Sequence, residues 1–530
     1  MAELTPMMKQ YFEIKQKCRD YILFYRLGDF YEMFYDDALL ASRELELTLT
    51  GRDCGQEERA PMCGVPYHAS ESYIGRLVRK GYKVAICEQV EDPKSTKGLV
   101  KREIVRMVTP GTVIDASMLD ENRNNFLCCL YTQGRDGGVC FADISTGEVY
   151  ATATRTTGEL LSEIGRFLPR ETLLGGESVT DQSLQGFLKE RAESIFSPLP
   201  EEAFAPDKAQ SAVEACFGSE AMERNGLAQN EIVLRALGGL LYYLEDTQKS
   251  SLEGLNTLHL YQQGEYMELD LTARRNLELC ETMRTKEKKG SLLSVIDRTK
   301  TAMGSRMIRQ WLEKPLLNPL HIQKRQQAVG ALCDDPLLRA NLTEELDKLF
   351  DIERLIGRVV YGTANCRDLR AMQTSLARLP AIKALLGEIQ NIPLLHELNE
   401  RIDPLEDICD LIAAAIVEEP PVSVREGGII RTGFRQEVDE LRGLASGGKG
   451  KIAEIEQRER EATGIKGLKI GYNRVFGYYL EVTKANLDAV PPHYIRKQTL
   501  ANCERYITDE LKQLEGQVLG AQERLTALEY

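Results

Sequence analysis

Apolar residues along the chain change period several times, and each change marks a new element. Tyr21-Ile22-Leu23-Phe24-Tyr25-Arg26 is a run of aromatic and branched residues closed by Leu27-Gly28-Asp29, the pattern of a buried strand ending in a turn. Beyond it Phe34, Ala38, Ala41 and Leu45 recur at helical spacing, so a helix is expected about where the strand stops. Asp29 with Glu32 three residues on has the form of a capping box, which by itself makes Glu32 a cap partner and Phe30 an ordinary core aromatic. A proline-punctuated stretch follows from Ala60 to Tyr67. A helix over Ser72 to Lys80, stopped by Gly81, then leads to strands at Tyr82 to Cys87 and Ile104 to Val108. Residues 1–115 therefore form a mixed α/β domain.

A second α/β domain is expected over 125–250. It opens on the strand Phe126 to Tyr131, and Gly137-Gly138 is expected to turn the chain into a hairpin strand from Val139 to Ser145, completed by Gly147 to Tyr150. From about 264 the pattern is helical. Leu338 to Leu386 is leucine-rich at helical spacing with few glycines or prolines, the signature of long packed helices. Glu419-Pro420-Pro421 breaks that pattern. A helix over Glu437 to Glu461, strands over Gly464 to Val482 and a helix from Arg505 to Tyr530 follow, so 421–507 is expected as a strand-rich insertion in a helical domain made of 264–420 and 508–530.

At 530 residues the chain is too long for one core. With 43% hydrophobic and 28% charged residues it has the composition of a globular protein, and no apolar run approaches membrane-spanning length. The N-terminus lacks a basic-then-apolar signal pattern, so a cytoplasmic location without membrane contact is expected. The thirteen cysteines show no metal-ligand or disulfide spacing.

A net charge of −14 argues against a polyanionic partner until local balance is considered. Between Lys94 and Arg106 five basic residues (Lys94, Lys97, Lys101, Arg102 and Arg106) face one acid, Glu103. Between Gly464 and Ile507 seven (Lys466, Lys469, Arg474, Lys484, Arg496, Lys497 and Arg505) face Glu481, Asp488 and Glu504. Two basic islands in an acidic chain suit two contacts with one polyanion, although each alone also suits a solvated face.

The run Leu27 to Asp37, read with Met62-Cys63-Gly64-Val65-Pro66-Tyr67-His68, Ala85-Ile86-Cys87-Glu88-Gln89 and Val108-Thr109-Pro110-Gly111-Thr112, resembles the mismatch-binding domain of the MutS family. The likeness extends through every domain. It implies a multidomain α/β plus all-α fold: a mixed α/β mismatch-binding domain, a ribonuclease-H-like α/β connector, and a long-helix core with an inserted strand-rich clamp. Gly471 to Tyr479 and Tyr494 to Leu500 match the clamp. Phe30 and Glu32 match the Phe-x-Glu pair that enters the minor groove at a mispair, where an apolar wedge can unstack a weak step. Lys94, Lys97, Arg102, Lys466, Lys469, Asn473, Arg474, Arg496 and Lys497 are then candidates for the DNA backbone.

The implied partners are double-stranded DNA with mismatches or small loops, a second copy in a homodimer, and a downstream MutL-like repair factor. For the full-length family an ATPase with ATP and magnesium is implied. No catalytic residue, metal ligand or nucleotide-binding residue is expected in this chain, whose last helix is expected to be unfinished. Gly443-Leu444-Ala445-Ser446-Gly447-Gly448-Lys449-Gly450 has the spacing of a phosphate loop, but Gly450 stands where a hydroxyl should bind magnesium, and no strand precedes it. A flexible loop is the expected form. Two rival readings are a structure-selective nuclease using Asp143 in the connector, and a DNA-binding scaffold that does not discriminate mismatches. Asp143 is one acid where a two-metal site needs several.

Overall fold

The computed structural model describes residues 4–91, 98–224, 226–249, 252–262, 264–389, 391–473 and 477–530. The chain divides into two compact units, Met1–Ala364 with Arg378–Asp403, and Asn365–Ala377 with Pro404–Tyr530. Among the described residues no helix is long and apolar enough to cross a membrane.

The first unit begins with a six-stranded mixed sheet of β1 (Ile22–Leu27), β2 (Phe30–Phe34), β3 (Thr50–Arg52), β4 (Ala60–Pro66), β5 (Val84–Gln89) and β6 (Arg102–Val108), ordered β3-β4-β2-β1-β5-β6. Alternation along β2 divides its side chains between two cores. Tyr31 and Met33 join Phe24, Ile74 and Leu77 on the face covered by the helices Tyr35–Leu45 and Ser70–Arg79. Phe34 joins Tyr11, Leu23 and Tyr25 on the face covered by the helix Pro6–Lys17. Gly81 ends its helix at φ +88°, as the pattern requires.

Two expectations change here. Phe30–Phe34 is a strand hairpinned to β1, so Asp29 and Glu32 form no capping box; the helix begins at Tyr35 behind Phe34, which makes no side-chain cap. Tyr35 takes φ +52°, a left-handed conformation rare for an aromatic residue, and there the chain breaks from strand to helix. The stretch Ala60–Pro66 is itself the strand β4, paired on both sides despite Pro61 and Pro66.

A second six-stranded sheet holds β7 (Leu127–Gln133), β8 (Asp136–Asp143), β9 (Glu148–Thr154), β10 (Glu171–Gly176), β11 (Ile195–Pro198) and β12 (Thr257–Leu260), ordered β11-β10-β7-β8-β9-β12. The β7–β8 and β8–β9 pairs are antiparallel, while β7–β10 and β10–β11 are parallel. The helix Glu231–Gln248 crosses it closely, and a Cβ on Gly138 would lie 2.0 Å from the Ile232 carbonyl oxygen. That approach corrects the expected turn: Gly137 and Gly138 lie within β8, and the hairpin turns at Gly134, φ +64°.

The leucine-rich stretch 338–386 is broken into short helices rather than long ones: Pro336–Leu346, Ile352–Val360, Cys366–Leu376 and Leu379–Gly387. Local signals outweigh the apolar period. Asp351 caps one helix, Gly362 takes φ +66°, Asn365 and Asp368 form a capping box, and Pro380 starts the last. Arg306 secures this region to the segment that precedes β7. Its guanidinium reaches Asp351 at 2.6 Å, Glu353 at 2.6 Å and the Glu121 carbonyl at 3.0 Å.

In the second unit the helix Gln436–Thr463 lies beside Asp509–Glu529. Between them in sequence come β13 (Lys469–Asn473), β14 (Gly477–Thr483), β15 (Ile495–Thr499) and β16 (Cys503–Ile507), an antiparallel sheet ordered β13-β14-β16-β15. Leu468, Leu480, Val482 and Tyr506 fill its core. Arg505, expected at a helix start, belongs to β16, because its helix waits for the Thr508 cap.

Candidate nucleic-acid interface

The β1–β2 hairpin turns at Gly28, φ +57°, and the Asp29 carbonyl accepts a hydrogen bond from the Tyr67 amide at 3.0 Å. Arg26 braces it from the side, lying 3.8 Å from the Tyr67 ring centroid and 3.4 Å from the Glu88 carboxylate. Phe30 is the first residue of β2, and period-two alternation places Phe30, Glu32 and Phe34 on one face. Phe34 is fully buried against Tyr11, whose ring centroid is 5.1 Å away, whereas Phe30 is 45% exposed. An apolar ring thus projects from a rigid strand at the end of an otherwise covered row.

Glu32 sits between the two, with a side chain 16% exposed. Arg52 on β3 reaches it across β4, Nη1 to Oε2 at 2.5 Å. Gly64 lies opposite Glu32 in the pairing of β4 with β2, and a Cβ there would stand 3.4 Å from Glu32 Cγ and 3.2 Å from the Tyr31 carbonyl oxygen. The glycine leaves the carboxylate its room. Nothing in the sequence near Glu32 announces Arg52, which is brought close only by β3 pairing with β4 and β4 with β2.

In the first basic island Lys101 and Arg102 are spent within the protein. Arg102 corrects the expectation that it contacts DNA: it is 7% exposed and donates to the Arg26 carbonyl at 2.8 Å, to Gln10 Oε1 at 3.0 Å and to the Val100 carbonyl at 2.9 Å. Strand pairing turned it inward, which charge counting cannot foresee. Lys101 pairs with Glu103 at 2.6 Å. Lys94 and Lys97 lie outside the described residues.

The second island stays on the surface. Lys466 and Lys469 are exposed, and Arg496 and Lys497 stand exposed on the edge strand β15, where the register with β16 shifts between Arg496 and Gln498. Arg496 keeps a 64% exposed side chain while touching Glu504 at 3.4 Å. Asn473 is half-buried at the end of β13, and Arg474 lies outside the described residues. Arg505 is committed to Glu481 at 3.2 Å and lies 4.3 Å from the Tyr479 ring centroid.

The rival chemistries lose their geometric support. Asp143 is fully buried, and its oxygens accept from Asn124 Nδ2 at 3.0 Å, the Asn125 amide at 3.0 Å, the Ser145 amide at 2.9 Å and Ser145 Oγ at 2.6 Å. A carboxylate so engaged ties the segment before β7 to the sheet and has no free oxygen for a metal. Among the described residues no group of three or more His, Cys, Asp or Glu side chains could hold an ion. Residues 443–450 are continuous helix, not the flexible loop their glycines suggest, so their amides are spent on the helical ladder and cannot cradle phosphates.

Comparison with known proteins agrees along the whole chain. Residues 5–117 match the family model of MutS domain I, 125–258 that of MutS domain II and 272–522 that of MutS domain III. The chain is 51% identical over 533 residues to the DNA mismatch repair protein MutS of Ruminiclostridium cellulolyticum, and 50% identical to the proteins of that name from Acetivibrio thermocellus and Alkaliphilus oremlandii. Each match takes in 100% of this chain and 61% of the relative. The chain belongs to the MutS family, and its fold is the mixed one of several sheets with helices that the three domain models imply.

Proposed function

We propose that this chain recognises mismatched or unpaired bases in duplex DNA as the first step of mismatch repair. One observation carries the reading. Phe30 stands 45% exposed on a braced hairpin, beside a carboxylate already neutralised by Arg52. In the minor groove an apolar ring can insert at a step whose stacking a mispair has weakened, and the bend that results brings more protein surface to the duplex. A bare carboxylate there would be repelled by the phosphates. With Arg52 on one oxygen, Glu32 can turn the other toward a base edge.

Lys469, Arg496 and Lys497 on the second unit's sheet, with Lys466 in the turn before it, give affinity without reading sequence, as phosphate contacts do. In this reading that sheet is the clamp, and the helices from 264 onward belong to the core. The connector's order β9-β8-β7-β10-β11, antiparallel then parallel, supports a ribonuclease-H-like fold used for architecture rather than cleavage. A homodimer, a MutL-like partner and control by ATP with magnesium belong to the same reading of the whole family, and no step assigned to the residues above passes through them.

The test is binding of the chain to two duplexes that differ only by one G·T mispair, in wild type and Phe30→Ala. Loss of the preference with retention of general binding supports the wedge, and equal loss on both duplexes overturns it.

A further inference from the structure

A cavity of about 620 Å³ opens within the first unit, between the connector and the helices that follow it. Seven basic and four acidic side chains line it. Ion pairing occupies most of the acids: Glu193 takes Lys286, Glu281 takes Arg123 at 3.2 Å and Arg309 at 3.7 Å, and Glu313 takes Arg309 at 3.5 Å. Arg170, Arg191 and Arg275 remain exposed in its wall, with no side-chain hydrogen bond or ion pair among the described residues.

Deeper in, Arg274 donates only to backbone carbonyls, those of Leu269 at 2.8 Å, Gly165 at 3.5 Å, Arg166 at 3.1 Å and Glu313 at 2.9 Å, and Arg309 Nε is buried without a partner. Partial enclosure in the wall, and then the neighbouring Arg123 guanidinium, push Arg170 below its ordinary value against the opposing pull of Glu281, Glu193 and Asp120. Phe187, Leu271, Leu279 and Met283 supply an apolar wall.

We propose that this cavity binds a phosphorylated small molecule of the nucleotide class, its phosphates on Arg170 and the neighbouring arginines and its base against the Phe187 wall. Guanidinium forks match phosphate oxygens two at a time, which an ammonium cannot do. The volume falls within the roughly 300–1,000 Å³ typical of small-molecule sites and far exceeds what a bare ion fills. Burial and then the Glu313 carboxylate push the Cys280 thiol in the wall up to about 12 and keep it protonated, so it adds no negative charge against a phosphate. Residues from both the connector and the following helices line the cavity, so an occupant braces that joint.

Calorimetric titration of the 530-residue chain with ADP, pyrophosphate and adenosine tests this. ADP should bind, pyrophosphate should bind more weakly, and adenosine should not bind. Arg170→Ala should weaken ADP about tenfold, the value of one charged hydrogen-bonded contact. Its melting temperature without ligand should change little, because the Arg170 side chain makes no hydrogen bond or ion pair among the described residues. Arg170→Lys should recover only part of the affinity. Equal ADP binding by wild type and Arg170→Ala would overturn the proposal, as would absence of binding by both phosphate compounds. If those compounds fail to bind while Arg170→Ala lowers the salt dependence of duplex binding, the arginines face DNA phosphates and the small-molecule assignment falls.

Discussion

Arg52 and Glu32 are 20 residues apart in the chain, on strands separated by β4, yet their side chains form an ion pair at the base of the exposed Phe30. The pair sets the sign of what each substitution does. Arg52→Ala frees a carboxylate where phosphates approach, and should weaken binding to matched and mismatched duplex alike. Because Arg52 is partly exposed, about 0.5–1 kcal/mol is expected. Adding Glu32→Gln should restore most of it, and a double-mutant cycle by fluorescence anisotropy measures the coupling. Additive losses would show that the two act independently on DNA.

Glu32→Gln alone should keep or raise affinity for paired DNA and narrow the ratio of mismatched to matched binding, since the repulsion goes and the acceptor toward the base is weakened. A ratio equal to that of wild type would remove Glu32 from recognition.

Hairpin and pairing explain what could be read from the sequence near this site and what could not. β1, β5 and the buried helical positions Ala38, Ala41 and Leu45 followed from periodicity, because their surroundings are apolar on the face the pattern marks. β2 and β4 did not. Phe30 and Glu32 occupy positions that fit a cap as well as a strand, and Pro61, Gly64 and Pro66 disguise a strand whose partners lie far away in sequence. Phe30 and Glu32 could be named through family likeness alone. Arg52 and the inward turn of Arg102 depend on tertiary pairing that no local pattern encodes.

On the second unit, replacing Arg496 and Lys497 together by Ala should weaken binding to any duplex and lower the slope of log affinity against log salt. Two free phosphate contacts would remove about two units of slope, but Arg496 also touches Glu504, so a loss between about one and two units is expected. Titrations at several salt concentrations measure it, and an unchanged slope would exclude both residues from the interface.

Lys314 gives a prediction about pH. Its ammonium lies 4.0 Å from the Tyr150 ring centroid and 3.8 Å from that of Phe167, and burial, then the nearby Arg166, push it down to about 7. Above about pH 7 the folded chain releases this proton while the unfolded chain holds it up to its ordinary value near 10.5. The unfolded state then binds more protons, so this group's contribution to stability rises with pH across that window, and its full cost is present below it. In Lys314→Met the rise should disappear and melting at pH 6.5 should move upward relative to wild type. Parallel melting curves for the two proteins from pH 6.5 to 9.5 would exclude the effect.

Arg306 should matter to stability rather than to DNA. Its removal leaves Asp351 and Glu353 without their shared cation and frees the Glu121 carbonyl, so Arg306→Ala should cost about 3 kcal/mol in the first urea transition. Mismatch preference should survive in the folded fraction.

The irregular register of β15 has a consequence for the protein's life in a crowded cell. β13 and β15 are the two open borders of a four-stranded sheet, and an open border invites another chain to add a strand. The shift beside Lys497 interrupts the ladder on one border, and Lys469 puts a cation on the other. The side chains proposed to hold DNA phosphates should therefore also hinder the sheet from lengthening into aggregates. A variant stripped of them should lose solubility as well as grip, and self-association at high concentration becomes the control that any binding measurement on this surface requires.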